Sequence, residues 1–439
     1  MNKKMELSYA ASICLQTLEQ AGFEAYAVGG CVRDSLLGKT PHDYDLCTNA
    51  LPEETAKLFS GYTLVRSGEK HGTIGVAVNK EVIEITTYRT EGGYQDGRHP
   101  DWVRFVSRLE DDLARRDFTV NAMAYNPRVG YIDPFGGEKD LQNQVLRAVG
   151  EPRLRFTEDA LRILRGVRFA VRFGLTPEEH TLQAMKDLSP LMDKLARERV
   201  FDELCKLLPL LCAEDFQRYA PILVQVLPVL SPALGFDQRN PHHIHDIYTH
   251  TAHVVDAAPQ NLTVRWAALL HDCGKPACFT LDEQGVGHFY GHAKVSAELA
   301  AETLLQLKAP TALRERVCLL IEQHMVPLEA DRKFLRRRLG KFGVEAMMEL
   351  VALQEADMTG TKDIPVALTQ VRTVLAEILS EDACLTVKDL KITGKDLLDI
   401  GFAPGPDLGS CLQWLLEQVQ DEVLPNEKQA LLEKAKSKA

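Results

Sequence analysis

The chain has 439 residues, of which 45% are hydrophobic and 26% are charged, and its formal net charge is −11 at pH 7. This length predicts about two to four domains, and this composition is typical of a soluble globular protein. The net negative charge argues against a protein coated with positive charge, although it does not exclude a local basic groove.

The cysteines and the most apolar stretches predict a cytoplasmic protein with no membrane anchor. None of the 10 cysteines belongs to a CxxC pair, so neither a zinc ribbon nor a thioredoxin-like site is expected, and the pattern is typical of a reducing compartment. Residues 1–23 predict an amphipathic helix and not a signal peptide, because polar residues such as Glu6 and Glu19 interrupt any apolar run. Residues 220–236 contain Pro221, Pro228 and Pro232 and are too broken for a membrane span.

The predicted elements divide the chain into an α/β part followed by helical parts. Residues 24–30 predict a strand that enters a glycine turn, and 72–79 and 81–89 predict two strands joined at about Lys80. Residues 236–243 predict a linker between helical segments. We therefore predict an α+β fold with four modules: a mixed-sheet head at 1–145, a helical neck or body at 146–235, a helical domain at 240–380 and a helical tail at 381–439.

Two aspartates, Asp43 and Asp45, follow a glycine-rich turn. Side chains two residues apart on a strand leave the same face, and two such carboxylates repel unless a cation lies between them. Oxygen ligands suit Mg²⁺, which takes one or two carboxylates together with substrate phosphates. Gly29 and Gly30 let the backbone approach a phosphate, and Arg33 can bind phosphate oxygens with two donors. An ordinary polar turn is the alternative.

Several motifs in this region resemble those of one enzyme family. VGGCVRDSLLGKTPHDYDL (28–46) resembles the first motif of class II nucleotidyltransferases of the polymerase-β superfamily. That group includes the tRNA CCA-adding enzymes and the bacterial poly(A) polymerases. RRDFTVNAMAYN (115–126) is similar to the second motif, DPFGG (133–137) follows it as in the family, and EDALRILRGVRFA (158–170) is similar to the nucleotide-selecting helix. The resemblance covers about residues 20–175 and implies a polymerase-β-like head.

The resemblance implies roles for individual positions. Asp43 and Asp45 match the catalytic, metal-binding carboxylates of the family, and Asp159 and Arg162 match the pair that hydrogen-bonds the base of CTP or ATP. The full set that matches nucleotide-binding positions is Gly30, Arg33, Arg116, Asp159, Arg162, Arg165 and Arg168.

The arginines of the third motif also form a pattern of their own. Arg162, Arg165 and Arg168 recur every three residues and therefore share one broad helical face. The span 147–172 holds seven arginines against three acids, which makes a basic region in an acidic protein. An ion-paired, solvated helix face is the alternative.

The implied reaction is in-line nucleotidyl transfer. A primer 3′-hydroxyl attacks the α-phosphate of a nucleoside triphosphate, pyrophosphate leaves, and two metal ions assist. A third carboxylate often completes a two-metal site, and Glu84 and Asp117 are both candidates. Asp117 is also a candidate for orienting the neighbouring arginine.

The segment 88–105 bears on which polymerase this is. It resembles the loop that helps CCA-adding enzymes to change from CTP to ATP, with Arg89, Tyr94, Asp96, Arg98 and Pro100 in a family-like pattern. Full CCA addition is therefore favoured. An ordinary surface hairpin, a poly(A) polymerase and an enzyme that adds only A are the alternatives.

Histidines and aspartates recur in YTHTAHVV (248–255), LLHDCGK (269–275), GHAKVSAE (291–298), EQHM (322–325) and EADMTG (355–360), and this group resembles the HD phosphohydrolase superfamily. Cys273 stands where that superfamily usually has an aliphatic residue. By that resemblance, the positions that match its metal ligands are His250, His271, Asp272 and Asp357, and those that match the ligands of a second metal are His292 and His324. Imidazole and carboxylate ligands suit Mn²⁺, Fe²⁺, Ni²⁺ or Zn²⁺ better than Mg²⁺ alone. The segment 331–343 has six basic residues and is either an RNA contact or a solvated helix face.

Together these features predict an enzyme that builds and repairs the CCA end of tRNA from CTP and ATP, with a metal-dependent phosphatase or phosphodiesterase attached. A phosphohydrolase whose head merely binds RNA is a further alternative, although both head aspartates are present. The sequence indicates no protein partner.

Overall fold

The computed structural model describes residues 4–92, 102–240, 244–360, 366–381 and 384–437. The chain folds into two compact units. The first unit comprises Met1–Leu210 and Arg218–Pro228, and the second comprises Leu211–Gln217 and Val229–Ala439. The finer division into four modules, with boundaries at about 145, 235 and 380, stays a prediction.

The strands that the structure describes in the first unit are β1 (Ala25–Val28), β2 (Asp45–Thr48), β3 (Thr63–Val65), β4 (Thr73–Val78), β5 (Glu81–Thr87), β6 (Arg89–Gly92), β7 (Trp102–Phe105), β8 (Ala124–Asn126), β9 (Gly130–Ile132), β10 (Val145–Leu146) and β11 (Thr176–Pro177). Seven of them form a mixed sheet in the order β3-β4-β5-β2-β1-β8-β9, and β6 and β7 form a separate hairpin. Within the seven-stranded sheet as described, β2 and β5 pair in parallel and the other neighbouring strands are antiparallel.

The strands predicted at 24–30, 72–79 and 81–89 are confirmed as β1, β4 and β5. Asn79 and Lys80, which connect β4 to β5, both have a positive φ, at 48° and 70°. A two-residue hairpin turn of this kind matches the twist of the strands that it joins, and Asn tolerates that backbone region well. The sequence therefore contains its own signal for this hairpin.

Helices cover the sheet and continue beyond it. The predicted N-terminal amphipathic helix is α1, which is capped by the Ser8 hydroxyl and buries Cys14, Leu15 and Leu18. The helices of this part are α1 (Tyr9–Gln20), α2 (Gly30–Leu36), α3 (Pro52–Leu58), α4 (Leu109–Ala114), α5 (Gly137–Gln142), α6 (Pro152–Glu158), α7 (Leu161–Phe173), α8 (Glu179–Leu188), α9 (Arg197–Leu207), α10 (Ala213–Arg218) and α11 (Ala220–Val226), and of these α10 belongs to the second unit except for Arg218. The region 146–235 is helical as predicted, apart from the short parallel pair β10–β11.

The second unit is helical except for one small hairpin. The C-terminal segment has its own apolar cluster, centred on Leu397, Leu415 and Leu431. The elements of this unit are α12 (Ile247–Ala257), α13 (Leu262–Leu270), β12 (Thr280–Leu281), β13 (Gly287–His288), α14 (His292–Gln306), α15 (Thr311–Gln323), α16 (Arg332–Phe342), α17 (Val344–Asp357), α18 (Val366–Ser380), α19 (Gly394–Asp399), α20 (Pro406–Gln420) and α21 (Lys428–Lys436).

The segment predicted as a linker is packed where the structure describes it. The Phe236 ring contacts Phe279 and Phe289, and the buried Gln238 side chain bonds the His245 carbonyl and Lys275. Packing of the half-buried Phe236 ring and burial of the Gln238 amide outweigh the linker-like composition of this stretch. Among the described residues, no helix has both the length and the apolar character that a membrane crossing needs.

Candidate functional site

Three exposed carboxylates, Asp43, Asp45 and Glu84, lie on or next to the neighbouring strands β2 and β5 of the first unit. Asp45 begins β2 and lies opposite Glu84 of β5 in the parallel register. Both side chains are exposed, whereas Leu46 and Ile85, the next residues along each strand, are buried. Asp43 is also exposed and is separated from Asp45 by the buried Tyr44, so the alternation expected for a strand extends into the preceding turn.

The carboxylates influence each other electrostatically. Although Asp45 is exposed to solvent, desolvation of its carboxyl group by the surrounding protein and the negative charge of Glu84 raise its pKa, and Asp43 adds to this effect while Arg116 opposes it. A raised carboxyl pKa means that the ionised form is destabilised in the protein. A cation at this position would relieve the repulsion, so the group has the electrostatic character of a hard-metal site.

The glycine turn lies next to Arg116, a neighbour of these carboxylates. Gly29 has a φ of 76°, and its N–H donates to the Met123 carbonyl at 3.1 Å. A Cβ at this position would lie 2.9 Å from the Arg116 guanidinium. Gly29 is therefore required both by its backbone conformation and by the close approach of Arg116. Helix α2 begins at the following residue, Gly30.

Arg33 is built into the wall beside this turn. It is 5% exposed, donates to Asp34 and Asn121, and places its guanidinium 4.1 Å from the centroid of the Phe173 ring. Burial lowers its pKa. Arg33, which the sequence predicts to contact a phosphate, is therefore held in place by other protein side chains. The sequence analysis missed one of these partners, Asn121.

Two buried aspartates form ion pairs at the second motif: Asp117 lies within it, and Asp112 of α4 lies just before it. Asp112, which the sequence analysis also missed, is fully buried. Although burial opposes its ionisation, ion pairs with Arg115 and Arg116 hold its pKa below the usual value. Asp117 accepts two hydrogen bonds from Arg165, at 2.9 and 2.7 Å, and one from Asn121 at 3.1 Å.

These contacts separate the two candidates for the third carboxylate. Asp117 is 7% exposed, and despite burial its pKa is lowered to about 2 by Arg165. Its carboxylate is therefore committed to an arginine on α7, and not to the neighbouring Arg116 as the sequence suggested. Glu84, by contrast, is exposed and directly opposite Asp45. The geometry favours Glu84 as the third carboxylate beside Asp43 and Asp45.

Arg162, Arg165 and Arg168 of α7 are ion-paired, and Arg162 and Arg168 are also buried. Arg162 donates to Glu158 at 2.8 Å and to the Arg115 carbonyl at 2.9 Å, and Arg168 pairs with Glu203. The alternative for this helix was an ion-paired, solvated face. The ion pairs are present, but Arg162 and Arg168 are not solvated, because each is only 7% exposed.

Asp159, the predicted partner of Arg162 in base recognition, accepts hydrogen bonds at both of its carboxylate oxygens. It accepts a hydrogen bond from Arg199 of α9 at 2.8 Å, and its other oxygen accepts from the Leu161 N–H at 3.1 Å. Sequence reasoning missed Arg199, which lies 40 residues away from Asp159, because no local pattern links them.

Part of the predicted switching loop lies outside the described residues. Tyr94, Asp96, Arg98 and Pro100 belong to that part. The flanking strands β6 and β7 pair in antiparallel fashion, with Arg89 opposite Phe105.

A second cluster forms in the second unit from all six predicted residues of the HD-like group. His250 lies on α12, His271 and Asp272 follow α13, and Asp357 ends α17. His292 begins α14, and His324 follows α15. The Nε2 atom of His250 lies 2.9 Å from an oxygen of Asp357, a residue 107 positions later.

Asp272 is at the centre of this cluster. Its carboxylate lies 3.2 Å from His271 Nε2, 3.3 Å from His292 Nε2 and 2.7 Å from the ammonium group of Lys275. Although burial opposes ionisation, these cationic and hydrogen-bonding partners hold its pKa well below the usual value. Lys275 is 5% exposed and is a further member that the sequence analysis did not assign.

The histidines are oriented as metal-binding imidazoles are. The Nδ1 atoms of His271, His292 and His324 each lie within 2.8 Å of a backbone carbonyl oxygen. Such a bond fixes the Nδ1–H tautomer and leaves Nε2 as the ligand atom. Two groups have ligand atoms within 4.8 Å of one another and share Asp272: His250, His271 and Asp272 form one, and Asp272, His292 and His324 form the other.

Burial accounts for Cys273 of the second unit, and ion pairs account for much of its basic segment 331–343. Burial raises the pKa of Cys273, which replaces an aliphatic residue of the HD-like motif, to about 12, so its thiol stays protonated. Within the basic segment 331–343, Arg332, Arg336 and Arg337 pair with carboxylates of the second unit, so the helix face that was the alternative to an RNA contact is ion-paired.

Comparisons with known proteins show which proteins this chain resembles. The profile described as "Poly A polymerase head domain" matches residues 25–147, "Probable RNA and SrmB- binding site of polymerase A" matches 174–218, and "tRNA nucleotidyltransferase domain 2 putative" matches 279–435. The chain is 35% identical to the CCA-adding enzyme of Streptococcus sanguinis over 428 residues, covering 95% of this chain and 94% of that one. It is 36% identical to that of Levilactobacillus brevis over 418 residues, covering 95% of each.

Solved structures show the same fold. The Bacillus stearothermophilus CCA-adding enzyme in complex with CTP has a TM-score of 0.72 and 27% identity, with 98% of this chain and 96% of that chain covered. The Thermotoga maritima CCA-adding enzyme complexed with tRNA has a TM-score of 0.58 and 22% identity, with 98% and 94% covered, a likeness that concerns the fold alone.

Proposed function

The chain belongs to the CCA-adding enzyme family, and we propose that it adds and repairs the terminal CCA of tRNA by metal-assisted nucleotidyl transfer from CTP and ATP. The observation that carries the proposal is the set of exposed carboxylates Asp43, Asp45 and Glu84, whose neighbour Arg116 lies next to the Gly29 turn. A triphosphate needs a backbone that it can approach closely, and a hard cation needs oxygen ligands; this site offers both.

The same site fits Mg²⁺. Asp43 and Asp45 would hold the ion, and Glu84 would complete the acidic set. When bound, Mg²⁺ supplies the charge neutralisation that phosphoryl transfer requires and favours ionisation of the attacking hydroxyl.

The side chains of this chain bind and orient the reactants. Arg116, held by the buried Asp112, lies next to the Gly29 turn and can donate to the triphosphate. Asp159 and Arg162 present an acceptor and donors to the base edge, and their own partners prevent them from rotating freely. The terminal hydroxyl of the tRNA forms the new bond to the α-phosphorus, and the bond to pyrophosphate breaks.

We further propose the modules that serve this reaction. Residues 1–145 form the catalytic head, 146–235 a neck that carries the nucleotide-selecting helix, 240–380 an HD-like domain and 381–439 a helical tail. The helical modules would hold the acceptor stem by shape and phosphate contacts, with little reading of its sequence. The enzyme would work in the cytoplasm.

Primer extension tests the polymerase function. Transcripts that end before CCA, after C and after CC are each incubated with CTP, ATP or both. Ordered addition of C, C and A that stops there is expected. The double variant Asp43→Asn with Asp45→Asn should lose all extension, whereas the exposed control Glu53→Gln on α3 should retain it. Addition of A only to the CC-ended transcript would indicate an A-adding enzyme, and long A tails a poly(A) polymerase.

The histidine cluster supports a second activity, metal-dependent phosphoester hydrolysis. Five buried or half-buried ligand-type side chains surround Asp272, and the Nε2 atoms of His271 and His292 are turned inward by bonds from their Nδ1 atoms to backbone carbonyls. A divalent ion such as Mn²⁺, Fe²⁺, Ni²⁺, Zn²⁺ or Mg²⁺ would supply the Lewis acidity for hydrolysis. Lys275 balances the charge of Asp272 and lies in the same cavity.

Phosphate release in the presence of each metal tests this second activity. The wild type should release phosphate from a phosphomonoester with at least one of the metals. The double variant His271→Ala with Asp272→Ala should not, while it keeps CCA addition. Release that is unchanged in this variant would place the hydrolytic activity elsewhere, and no release with any metal would refute the activity.

A further inference from the structure

The guanidinium group of Arg33 lies beside the glycine turn and keeps two donors unused. Its Nε and Nη2 atoms donate to Asp34, and its Nη1 atom donates to Asn121. Because a guanidinium has five N–H donors, one on Nη1 and one on Nη2 have no acceptor among the residues that the structure describes. A Cβ at Gly30 would lie 3.6 Å from Nη2, which places this atom at the turn. Both donors are therefore free to bind a phosphate that approaches the turn.

An aromatic ring supports this guanidinium from its face. The ring belongs to Phe173, the last residue of α7, and its centroid lies 4.1 Å from the Arg33 Cζ atom. A guanidinium stacked on a ring keeps its edge, where the N–H groups point, open to hydrogen bonds. A carboxylate in the same place would accept those hydrogen bonds and cancel the charge. Phe173 therefore orients Arg33 and leaves its charge for an anionic ligand.

The supporting ring is itself held by the core of the first unit. Phe173 is half-buried and is stacked on Phe169, with centroids 6.1 Å apart and planes inclined by 28°. Phe169 is buried and meets the buried Phe118 edge to face, with centroids 5.9 Å apart. The rings thus form a continuous support from the core to Arg33.

Positive charge collects around the same ring. Lys39 Nζ lies 5.6 Å and Arg172 Cζ 5.3 Å from the Phe173 centroid. Burial lowers the pKa of Arg33, and the charge of Arg172 adds to this effect while Asp34 opposes it. A lowered arginine pKa means that the charged form is destabilised, and a bound anion would relieve this. The surroundings of Phe173 therefore favour a polyanion such as a triphosphate.

A hydrogen-bonded chain also joins Arg33 to α7. Asn121, which accepts from Arg33, donates to Asp117 at 3.1 Å, and Asp117 in turn accepts from Arg165 of α7 at 2.7 Å. These bonds fix the edge of the guanidinium, whereas Phe173 fixes its face. Loss of the ring should therefore loosen Arg33 without releasing it.

We infer that Phe173 is a positioning residue for nucleotidyl transfer, which holds the Arg33 guanidinium against the triphosphate through a cation–π contact. The inference rests on the proposed nucleotidyl transfer and adds a residue that the resemblance did not assign. Because Phe173 acts through a phosphate contact, its effect is independent of the base and is the same for CTP and ATP.

Pyrophosphate binding tests the inference, since pyrophosphate has the phosphates of the substrate and no base. Its dissociation constant is measured on the full-length chain with Mg²⁺ and without tRNA. Phe173→Leu keeps an apolar side chain but no ring, and it should weaken binding about 2- to 30-fold, the usual contribution of a cation–π contact. Phe173→Tyr should restore the wild-type affinity. Tyr62→Leu removes an exposed ring elsewhere in the first unit and should bind as the wild type does.

Kinetics and a double-mutant cycle separate positioning from a general loss of structure. Phe173→Leu should raise the KM for CTP and for ATP by the same factor and leave kcat unchanged, because it weakens binding of the ground state and the transition state equally. Its preference for CTP over UTP should be that of the wild type. In an Arg33→Gln background, Phe173→Leu should cause no further loss of pyrophosphate affinity, because the cation is already gone.

The outcomes distinguish this inference from the function on which it rests. Wild-type pyrophosphate affinity in Phe173→Leu, no pyrophosphate binding by the wild type, or additive losses in the double variant would overturn the positioning role. Unequal changes for CTP and ATP would also overturn it, because the ring would then act on the base. Pyrophosphate binding that depends on Phe173 as expected, in a protein that extends no transcript, would uphold the positioning of Arg33 and refute the proposed CCA addition.

Discussion

Replacement of Asp117 by Asn should destabilise the first unit, because it removes one partner of a buried ion pair. Asp117 is 7% exposed, and despite burial its pair with Arg165 lowers its pKa to about 2. Relative to an unfolded value of about 3.9, this difference contributes on the order of 2–3 kcal/mol to folding at neutral pH. We expect a loss of about 2–4 kcal/mol in Asp117→Asn, since the amide is isosteric but carries no charge.

The pH dependence of this loss tests its electrostatic origin. The folded-state pKa is depressed, so the stabilisation is fully present above about pH 4 and disappears as the pH falls toward 2. Denaturant unfolding of wild type and Asp117→Asn at pH 7, 4 and 3 should therefore show a difference that shrinks at the lowest pH. The exposed Glu179→Gln on α8 should differ from wild type by less than about 0.5 kcal/mol throughout.

Two results would refute the reasoning about Asp117. Equal stability of variant and wild type at pH 7 would mean that the ion pair makes no net contribution. A difference that is the same at pH 7 and pH 3 would mean that the loss arises from packing and not from charge.

Three further variants should behave as follows. Glu84→Gln should lower the rate of nucleotide addition by at least about 100-fold, because loss of a metal ligand should reduce activity more than loss of a residue that only bonds to a ligand. Its unfolding curve should match that of wild type. Retention of activity would exclude Glu84 from the acidic set. Arg199→Ala should reduce the discrimination of the correct nucleotide over UTP roughly tenfold, because Asp159 loses a charge-assisted hydrogen bond; unchanged ratios of kcat/KM would contradict this role. Gly137→Ala should destabilise the protein by about 2 kcal/mol or more, since its Cβ would lie 2.2 Å from a backbone oxygen; Gly61→Ala, where a Cβ meets nothing within 4 Å, is the matched control for the melting temperature.

Local patterns were sufficient for much of the fold. The β4–β5 hairpin follows from two apolar runs joined by Asn79 and Lys80, and α1 follows from apolar residues at helical spacing after the Ser8 cap. These signals depend on neighbours in sequence, and they determine elements without regard to the rest of the chain. The small hairpin β12–β13 and the packed segment after Phe236 were not predicted, because their stability comes from contacts with distant aromatic residues.

The sequence by itself determined which residue types were available: a paired aspartate after a glycine turn, arginines every three residues, and histidines in the order of an HD-like group. Only the tertiary structure decided their partners. It paired Asp117 with Arg165, left Glu84 opposite Asp45, and brought His250 next to Asp357. The reason is physical: the charge state and accessibility of a side chain depend on burial and on charges within a few ångströms, and residues about 40 to 110 positions apart become neighbours only through the fold.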